Sequence, residues 1–347
     1  MSSANQWGHL LRLTSFGESH GPAMGVVIDG CPAGLPFDHA LLKRNLQQRR
    51  PGRSPVVSAR QEMDEPLILS GVYKDMTLGT PIAIIVKNTN ARPQDYSQMK
   101  ERRGHADKVW KQKFFHTDPR GGGRSSGRET VARVLGGSVA EMLVKQLAPQ
   151  TDVKAFTSQL GPVTLSEAEK KDLCFSQETL LEESFYTGLP VKEKAQRAYE
   201  LLEKAKKQGD SYGGTITVKI LHPPPSLGQP VFHKIKADLA QAMLSIGATH
   251  GLTFGDPQAH QLSGTQLHKE SPPSVYGGIL GGLTTGEPIT FHVYFKPTSS
   301  ILDIATKGRH DPCILPRALA VVRSMTFLVL ADHLLWTRLD NLQRPQP

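Results

Sequence analysis

The sequence predicts one α+β domain spanning residues 1–347, and three observations predict it. The composition is that of a folded chain: of 347 residues 38% are hydrophobic and 21% charged, which excludes disordered, collagenous and coiled-coil classes. Strand-type and helix-type patterns interleave along the whole length in a long mixed order. No repeat, low-complexity tract or Gly/Ser-rich linker divides them.

Taken in order, short apolar runs alternate with glycine from Leu10 to Gly30, and Met24 to Gly30 reads as a strand closed by a turn. Asp38 to Arg50 reads as a helix. Glu65 to Lys87 carries β-type segments, among them Pro81-Ile82-Ala83-Ile84-Ile85-Val86, and a polar, Arg-rich loop follows from Asn88 to Arg124. Ser126 to Leu147 has the clearest helix signature. Ser126 and Glu129 are spaced as a capping box, and Val131, Val134, Leu135, Val139, Met142 and Leu143 supply the apolar face. Glu193 to Gln208 and His233 to Ile246 are further helices, with a strand from Gly213 to Leu221 between them. Leu315 to Trp336 is apolar enough to suggest a membrane span, but Arg317, Arg323, Asp332 and His333 interrupt it, so it reads as a buried helix.

Cys31, Cys174 and Cys313 are odd in number and far apart, and the N-terminus lacks a charged-then-apolar signal. A disulfide framework or a cysteine-based zinc site is not expected, and a reducing cytoplasm is the simple reading. No metal is expected from any spacing in the chain.

The formal charge of +9 calls for an anionic partner: nucleic acid, a membrane surface or small phosphorylated ligands. Nucleic-acid modules interleave basic clusters with stacking aromatics, whereas aromatics are 6% here and the basic runs, such as Lys204-Ala205-Lys206-Lys207, are short.

Five polar knots hold much of the positive charge. Gly17-Glu18-Ser19-His20-Gly21 matches the G-x-S-x-G elbow of serine hydrolases. Its context argues against that reading, because an elbow needs an upstream strand and a helix directly after the serine. Arg120-Gly121-Gly122-Gly123-Arg124-Ser125-Ser126-Gly127-Arg128 resembles a phosphate loop but matches neither the Walker A nor the dinucleotide pattern. Glycines, serine hydroxyls, the free N–H groups of a helix start and two arginines four apart would still favour an anion. The plain alternative is a capped, solvated helix end. His105, between Arg102-Arg103-Gly104 and Ala106-Asp107, is a side chain of the type that suits acid–base work, although such a histidine alone is more often an ordinary loop residue. Lys296-Pro297-Thr298-Ser299-Ser300 and Gly308-Arg309-His310-Asp311-Pro312-Cys313 each join a cation to short hydroxyl or carboxylate groups. Together the knots point to an enzyme for phosphate-bearing small molecules. A phosphate-dependent binding protein and a nucleic-acid binder stay open at this point.

At these knots the chain resembles the chorismate synthase family. The likeness runs from Phe16-Gly17-Glu18-Ser19-His20-Gly21 through Arg49-Arg50-Pro51-Gly52, Gly104 to Asp107, Gly121 to Ser126, Gly277 to Gly282 and Lys296 to Ile301, ending at Arg309 to Cys313. The resemblance implies a β-α-β sandwich, a homotetramer, and loss of the 3-phosphate and a C6 hydrogen from 5-enolpyruvylshikimate 3-phosphate. It implies dependence on reduced FMN without net redox change. The chain shows no added reductase segment, which favours FMNH2 from a separate flavin reductase, with NADPH acting only indirectly. Neither nucleic acid nor a membrane is implied as a partner.

By the same resemblance the flavin site comprises Arg124, Ser125, Ser126, Gly247, Ala248, Gly281, Lys296, Pro297, Thr298, Ser299, Ser300 and Arg309. The substrate contacts are Ser19, Arg49, Arg53, Arg102 and Arg128. His20 would protonate or stabilise the departing phosphate, His105 would control protonation of the reduced flavin, and Asp311 would act with flavin N5 on the C6 proton. The chain departs from the family pattern where Pro55 replaces a usual arginine, with Arg53 two residues earlier. It also departs at Arg103, at Gly247, at Ser274-Val275-Tyr276, and in a shortened stretch over 301–306.

Overall fold

A computed structural model of the chain describes residues 4–50, 52, 56, 63–89, 104–118, 120–172, 175–177, 179–302, 305 and 311–340. Two five-stranded antiparallel sheets enclose a layer of helices. The first sheet uses β1 (Gln6–Trp7), β2 (Arg12–Phe16), β3 (Ala23–Asp29), β4 (Pro66–Ser70) and β5 (Ile82–Lys87), in the order β1-β2-β3-β5-β4. The second uses β6 (Asp152–Leu160), β7 (Val163–Thr164), β8 (Gly214–Leu221), β9 (Thr249–Phe254) and β10 (Ile289–Phe295), in the order β9-β10-β8-β6-β7. Six longer helices are α1 (His39–Arg49), α2 (Asp107–Phe114), α3 (Thr130–Leu147), α4 (Lys192–Gln208), α5 (Ile235–Leu244) and α6 (Leu315–Thr337).

α3 packs on the first sheet and α6 on the second, and the two helices lie against each other. Both are therefore apolar almost all round, the pattern expected of helices with no solvent face. Two adjacent glycines set the spacing. A Cβ on Gly136 would meet Leu13 Cδ1 of the first sheet at 2.1 Å, and one on Gly137 would meet Ser324 Cβ of α6 at 2.3 Å. One buried apolar cluster runs from Leu11 to Leu334 and includes both sheets.

α6 is long and apolar enough to cross a membrane, yet 94% of its most apolar window is buried inside the protein. The charged residues that interrupt it have partners. Arg323 forks onto Glu141 of α3 through Nη2 to Oε1 (2.7 Å) and Nη1 to Oε2 (2.9 Å), and Asn45 of α1 donates to the same carboxylate at 2.9 Å. Asp332 accepts the backbone N–H groups of His9, Leu10 and Leu11 at 2.8, 2.7 and 2.9 Å. Buried charges require such partners, so the four polar positions are sites where α6 is fixed to its neighbours.

Three local expectations change. The 88–124 stretch contains a helix, α2, which its high Lys content and short length conceal. The capping box at Ser126 and Glu129 does not form. Ser126 Oγ caps a single 3₁₀ turn (Gly127–Glu129) by accepting from Arg128 N, while Glu129 is drawn away by Arg133, whose Nε lies 3.0 Å from both carboxylate oxygens. α3 consequently begins four residues later than the spacing suggests. The helix expected from His233 begins at Ile235. The elbow reading of Ser19 fails as expected: β2 and β3 are an antiparallel pair, and no helix follows the serine.

Candidate active site

Four of the five polar knots meet around one cavity of about 590 Å³. The loop after β10 is the junction. Lys296 N donates to Ala248 O (3.0 Å), Lys296 Nζ and Ser299 Oγ donate to Gly104 O (3.0 and 3.1 Å), and Thr298 Oγ1 donates to Asp311 O (3.0 Å). Together these bonds tie three different segments to the four residues Lys296 to Ser299, so the segments carrying His105, Gly247 and Asp311 face one another.

The opposite wall is the glycine-rich loop, a 3₁₀ helix over Arg120–Ser125. Gly123 cannot be replaced without strain, since its φ of +51° is a conformation L side chains rarely adopt, and a Cβ there would lie 2.8 Å from Glu18 Oε2. That close approach brings the loop against the 17–21 turn. Arg124 donates from Nη1 to Gly17 O (3.1 Å) and from Nη2 to Ser15 Oγ, and Ser19 Oγ donates to Arg120 O (3.3 Å). Glu18 is pushed above its ordinary range, because partial burial and the nearby Asp118 together outweigh the pull of Arg124.

Behind this wall lies a buried ion cluster. Asp64 takes Arg49 Nη2 on Oδ2 (2.7 Å) and Arg128 Nη1 on Oδ1 (2.6 Å), with all three side chains at 1% exposure or less. Burial lowers the Arg49 guanidinium to about 10. It opposes ionisation of Asp64 as well, but the two guanidiniums win and hold that carboxyl below its usual range. Two arginines sharing one carboxylate leave a net positive charge beside the cavity. Asn88 links the cluster to the turn, accepting from Arg128 Nε (3.1 Å) and donating to Glu18 O and Gly21 O.

The residues expected to form the site are placed as follows. His105, Asp311, Arg124, Ser125, Ser126, Gly247, Ala248, Lys296 to Ser300 and Arg128 line the cavity. Ser19 and His20 are buried beside it, joined through Oγ and Nδ1 at 3.0 Å, and Arg49 lies behind Arg128. Gly281 does not reach it. The Gly281 turn sits at the start of α5, where Gly282 O accepts from Ile235 N, whereas Gly247 follows the far end of that helix, about 15 Å away at 1.5 Å per residue. Arg53, Arg102 and Arg309 lie outside the described residues, as do Arg103, Pro55 and most of the shortened 301–306 stretch.

Sequence reasoning missed Asp64, Asn88, Arg133, Arg317 and Trp110. Arg317 Nη1 grips Asp311 Oδ2 at 2.6 Å, and Arg133 spans from Glu129 to Ser245 O (2.9 Å), holding the end of α5 against α3. An arginine in the first turn of an otherwise apolar helix was a signal for Arg317. No local pattern marks Asp64.

The lining carries Arg124, Arg128, Arg133, Arg317 and Lys296 against Glu129 and Asp311. Such a surplus in a partly enclosed space stabilises multiply charged anions, and four of the five cations are forked guanidiniums suited to phosphate and carboxylate. The two cysteines among the described residues do not offer thiolate chemistry: burial raises the Cys31 and Cys313 thiols to about 11 and about 12.

The family model for chorismate synthase matches residues 11–335. The chain belongs to the chorismate synthase family. Chorismate synthase of Bdellovibrio bacteriovorus is 54% identical over 346 residues, covering 98% of this chain and all of that protein. The enzyme of Flavobacterium psychrophilum is 39% identical over 361 residues, covering 98% and 99%. A crystal structure of chorismate synthase superposes with a TM-score of 0.75 at 30% identity, covering 95% of this chain and 93% of the other. The β-α-β sandwich is thus that of chorismate synthase, and the chain is an enzyme of the lyase class.

Proposed function

We propose that the cavity binds 5-enolpyruvylshikimate 3-phosphate together with reduced FMN and eliminates phosphate and the C6 hydrogen to give chorismate, in the cytoplasm, in the shikimate pathway. The observation that carries this is the excess of fixed guanidiniums around one enclosed space in a member of this family. A substrate with one phosphate and two carboxylates requires that excess, and so does a second ligand with its own phosphate.

The residues present fit a flavin mononucleotide. The hydroxyls of Ser125, Ser126, Thr298, Ser299 and Ser300, with Arg124 and Lys296, suit its phosphate and ribityl chain. Trp110, Ala248, Ile314 and Val321 offer apolar surface for a ring system. The bound cofactor supplies electron density to the breaking allylic system and recovers it, with no net redox change.

The chain's own groups do the rest. Arg128, with Arg53 and Arg102, holds the substrate's anionic groups, and Arg49, buried behind it, supports Arg128 through the Asp64 carboxylate they share. Arg317 orients the Asp311 carboxylate toward the cavity for proton uptake. His105, at the head of α2, holds a proton on the same cavity, and His20, braced by Ser19, stabilises the departing phosphate. Gly281 could join a flavin site only as part of another subunit, consistent with a homotetramer. The reduced flavin is supplied by a separate reductase that draws on NADPH.

The test is an anaerobic assay with photoreduced FMN and 5-enolpyruvylshikimate 3-phosphate. Equal amounts of chorismate and phosphate are expected; neither product appearing would overturn the assignment.

A further inference from the structure

We propose that His9, His233 and Asp238 bind a divalent first-row transition ion such as zinc, at the end of α5 remote from the cavity. His9 is distant in sequence from His233 and Asp238, which stand five residues apart, so no spacing motif reveals the set; the fold brings one ligand atom from each to within 4.8 Å of the others.

The backbone positions all three. His9 lies in the turn between β1 and β2, where the buried Asp332 holds its N–H and those of the next two residues. Its ring therefore has a fixed origin that does not depend on its own packing. His233 lies two residues before the start of α5, and its Nδ1 lies 3.2 Å from Asp238 Oδ1. The His9 and His233 rings meet edge to face, with centroids 4.0 Å apart. Tetrahedral zinc with bonds of about 2.0 to 2.1 Å separates its ligand atoms by roughly 3.3 Å, so one edge is already formed and the others need rotamer-scale adjustment.

A supporting shell is also built. The second oxygen of Asp238 accepts from His333 Nε2 at 2.9 Å, the arrangement that orients a ligating carboxylate. His333 Nδ1 is buried with no hydrogen-bond partner among the described residues. A buried carboxylate facing two imidazoles is a cation site by charge, and its imidazole donors select zinc, nickel, cobalt or copper over magnesium or calcium. Trp336 walls it, 5.1 Å from the His9 ring and 5.3 Å from that of His233. His9 is exposed, leaving the fourth position to water.

None of these residues lines the cavity. The ion would staple the β1–β2 turn to the start of α5, a helix whose far end carries Ser245 to Ala248 of the cavity wall.

The experiment uses the untagged full-length chain, stripped with EDTA and titrated with zinc chloride by calorimetry, with cobalt(II) absorption as a second readout. One ion per chain is expected, together with a higher thermal midpoint in zinc than in magnesium. His9→Ala and His233→Ala should each weaken zinc at least tenfold. His9→Ala keeps the backbone N–H that Asp332 holds, so its fold is preserved, and circular dichroism checks both variants. Absence of stoichiometric binding by the parent chain, or undiminished binding by both variants, overturns the proposal.

Discussion

Arg49 and Asp64 form a 2.7 Å ion pair in which neither side chain reaches solvent, and Asp64 must serve Arg128 as well. Its replacement would leave two buried guanidiniums facing each other. Asp64→Ala should therefore destabilise the fold by about 3 to 5 kcal/mol, the range for breaking a buried pair from one side. Urea unfolding followed by tryptophan fluorescence measures this; an unchanged midpoint would contradict the shared-carboxylate arrangement.

Acid stability follows from the same chemistry. Burial opposes ionisation of Asp64 and Glu141, but Arg49 and Arg128 in one case and Arg323 in the other hold both carboxyls below their ordinary values. A depressed folded value contributes stability that is fully present above the unfolded range of about 3.9 to 4.3 and is lost as pH falls through the folded value. The unfolding free energy should accordingly fall steeply below about pH 4. Glu141→Gln, being neutral throughout, should flatten that acid limb while lowering stability at pH 7.

Gly137 tests the contact between α3 and α6. In an exposed helix Gly→Ala stabilises by about 0.5 to 1 kcal/mol, but here the new Cβ would fall 2.3 Å from Ser324 Cβ, 2.6 Å from its Cα and 2.7 Å from its carbonyl oxygen. Gly137→Ala should cost about 1 to 3 kcal/mol by overpacking. Adding Ser324→Gly should restore only part of the loss, because two of the three obstructing atoms are backbone. Differential scanning of both variants decides the matter, and full rescue would show that the helices can separate.

Arg124 uses its fork to join the glycine loop to the 17–21 turn. Arg124→Lys keeps the charge but cannot reach Gly17 O and Ser15 Oγ together. The variant should raise the half-saturating concentration of reduced FMN about tenfold or more, equivalent to about 1.4 kcal/mol or more, with little change in thermal midpoint. Anaerobic steady-state titration measures it.

His105 and Asp311 face the same cavity from different segments. His105→Ala and Asp311→Asn should each lower turnover by about 10² to 10⁴ with folding intact, the usual contribution of a positioned proton-transfer group. Stopped-flow phosphate release checks both, and an unchanged rate in either variant would refute the role given to that residue.

Much of the site was legible because its chemistry is written in short contiguous runs. Arg124 to Ser126, Lys296 to Ser300 and the His105 and Asp311 loops carry glycine, hydroxyl and cation together, and those local patterns survive folding. Asp64 was not legible: an aspartate between Met63 and Glu65 looks like any solvated acid until the fold sets it between two arginines. Gly281 shows the reverse, a residue with a strong local motif that the fold places at the other end of α5 from Gly247.

The sequence by itself determined the class of fold, through its mixed periodicities, and the class of ligand, through cations standing singly beside glycine and serine. It also determined that the 315–336 stretch is a core helix, since Arg323 and Asp332 could not be left unpaired in lipid. Only the tertiary structure decided who those partners are. Ion pairs such as Arg49–Asp64–Arg128 and Arg323–Glu141, like the convergence of His9, His233 and Asp238, join residues from separate elements. Long-range pairing depends on how sheets and helices stack, and that geometry has no period along the chain.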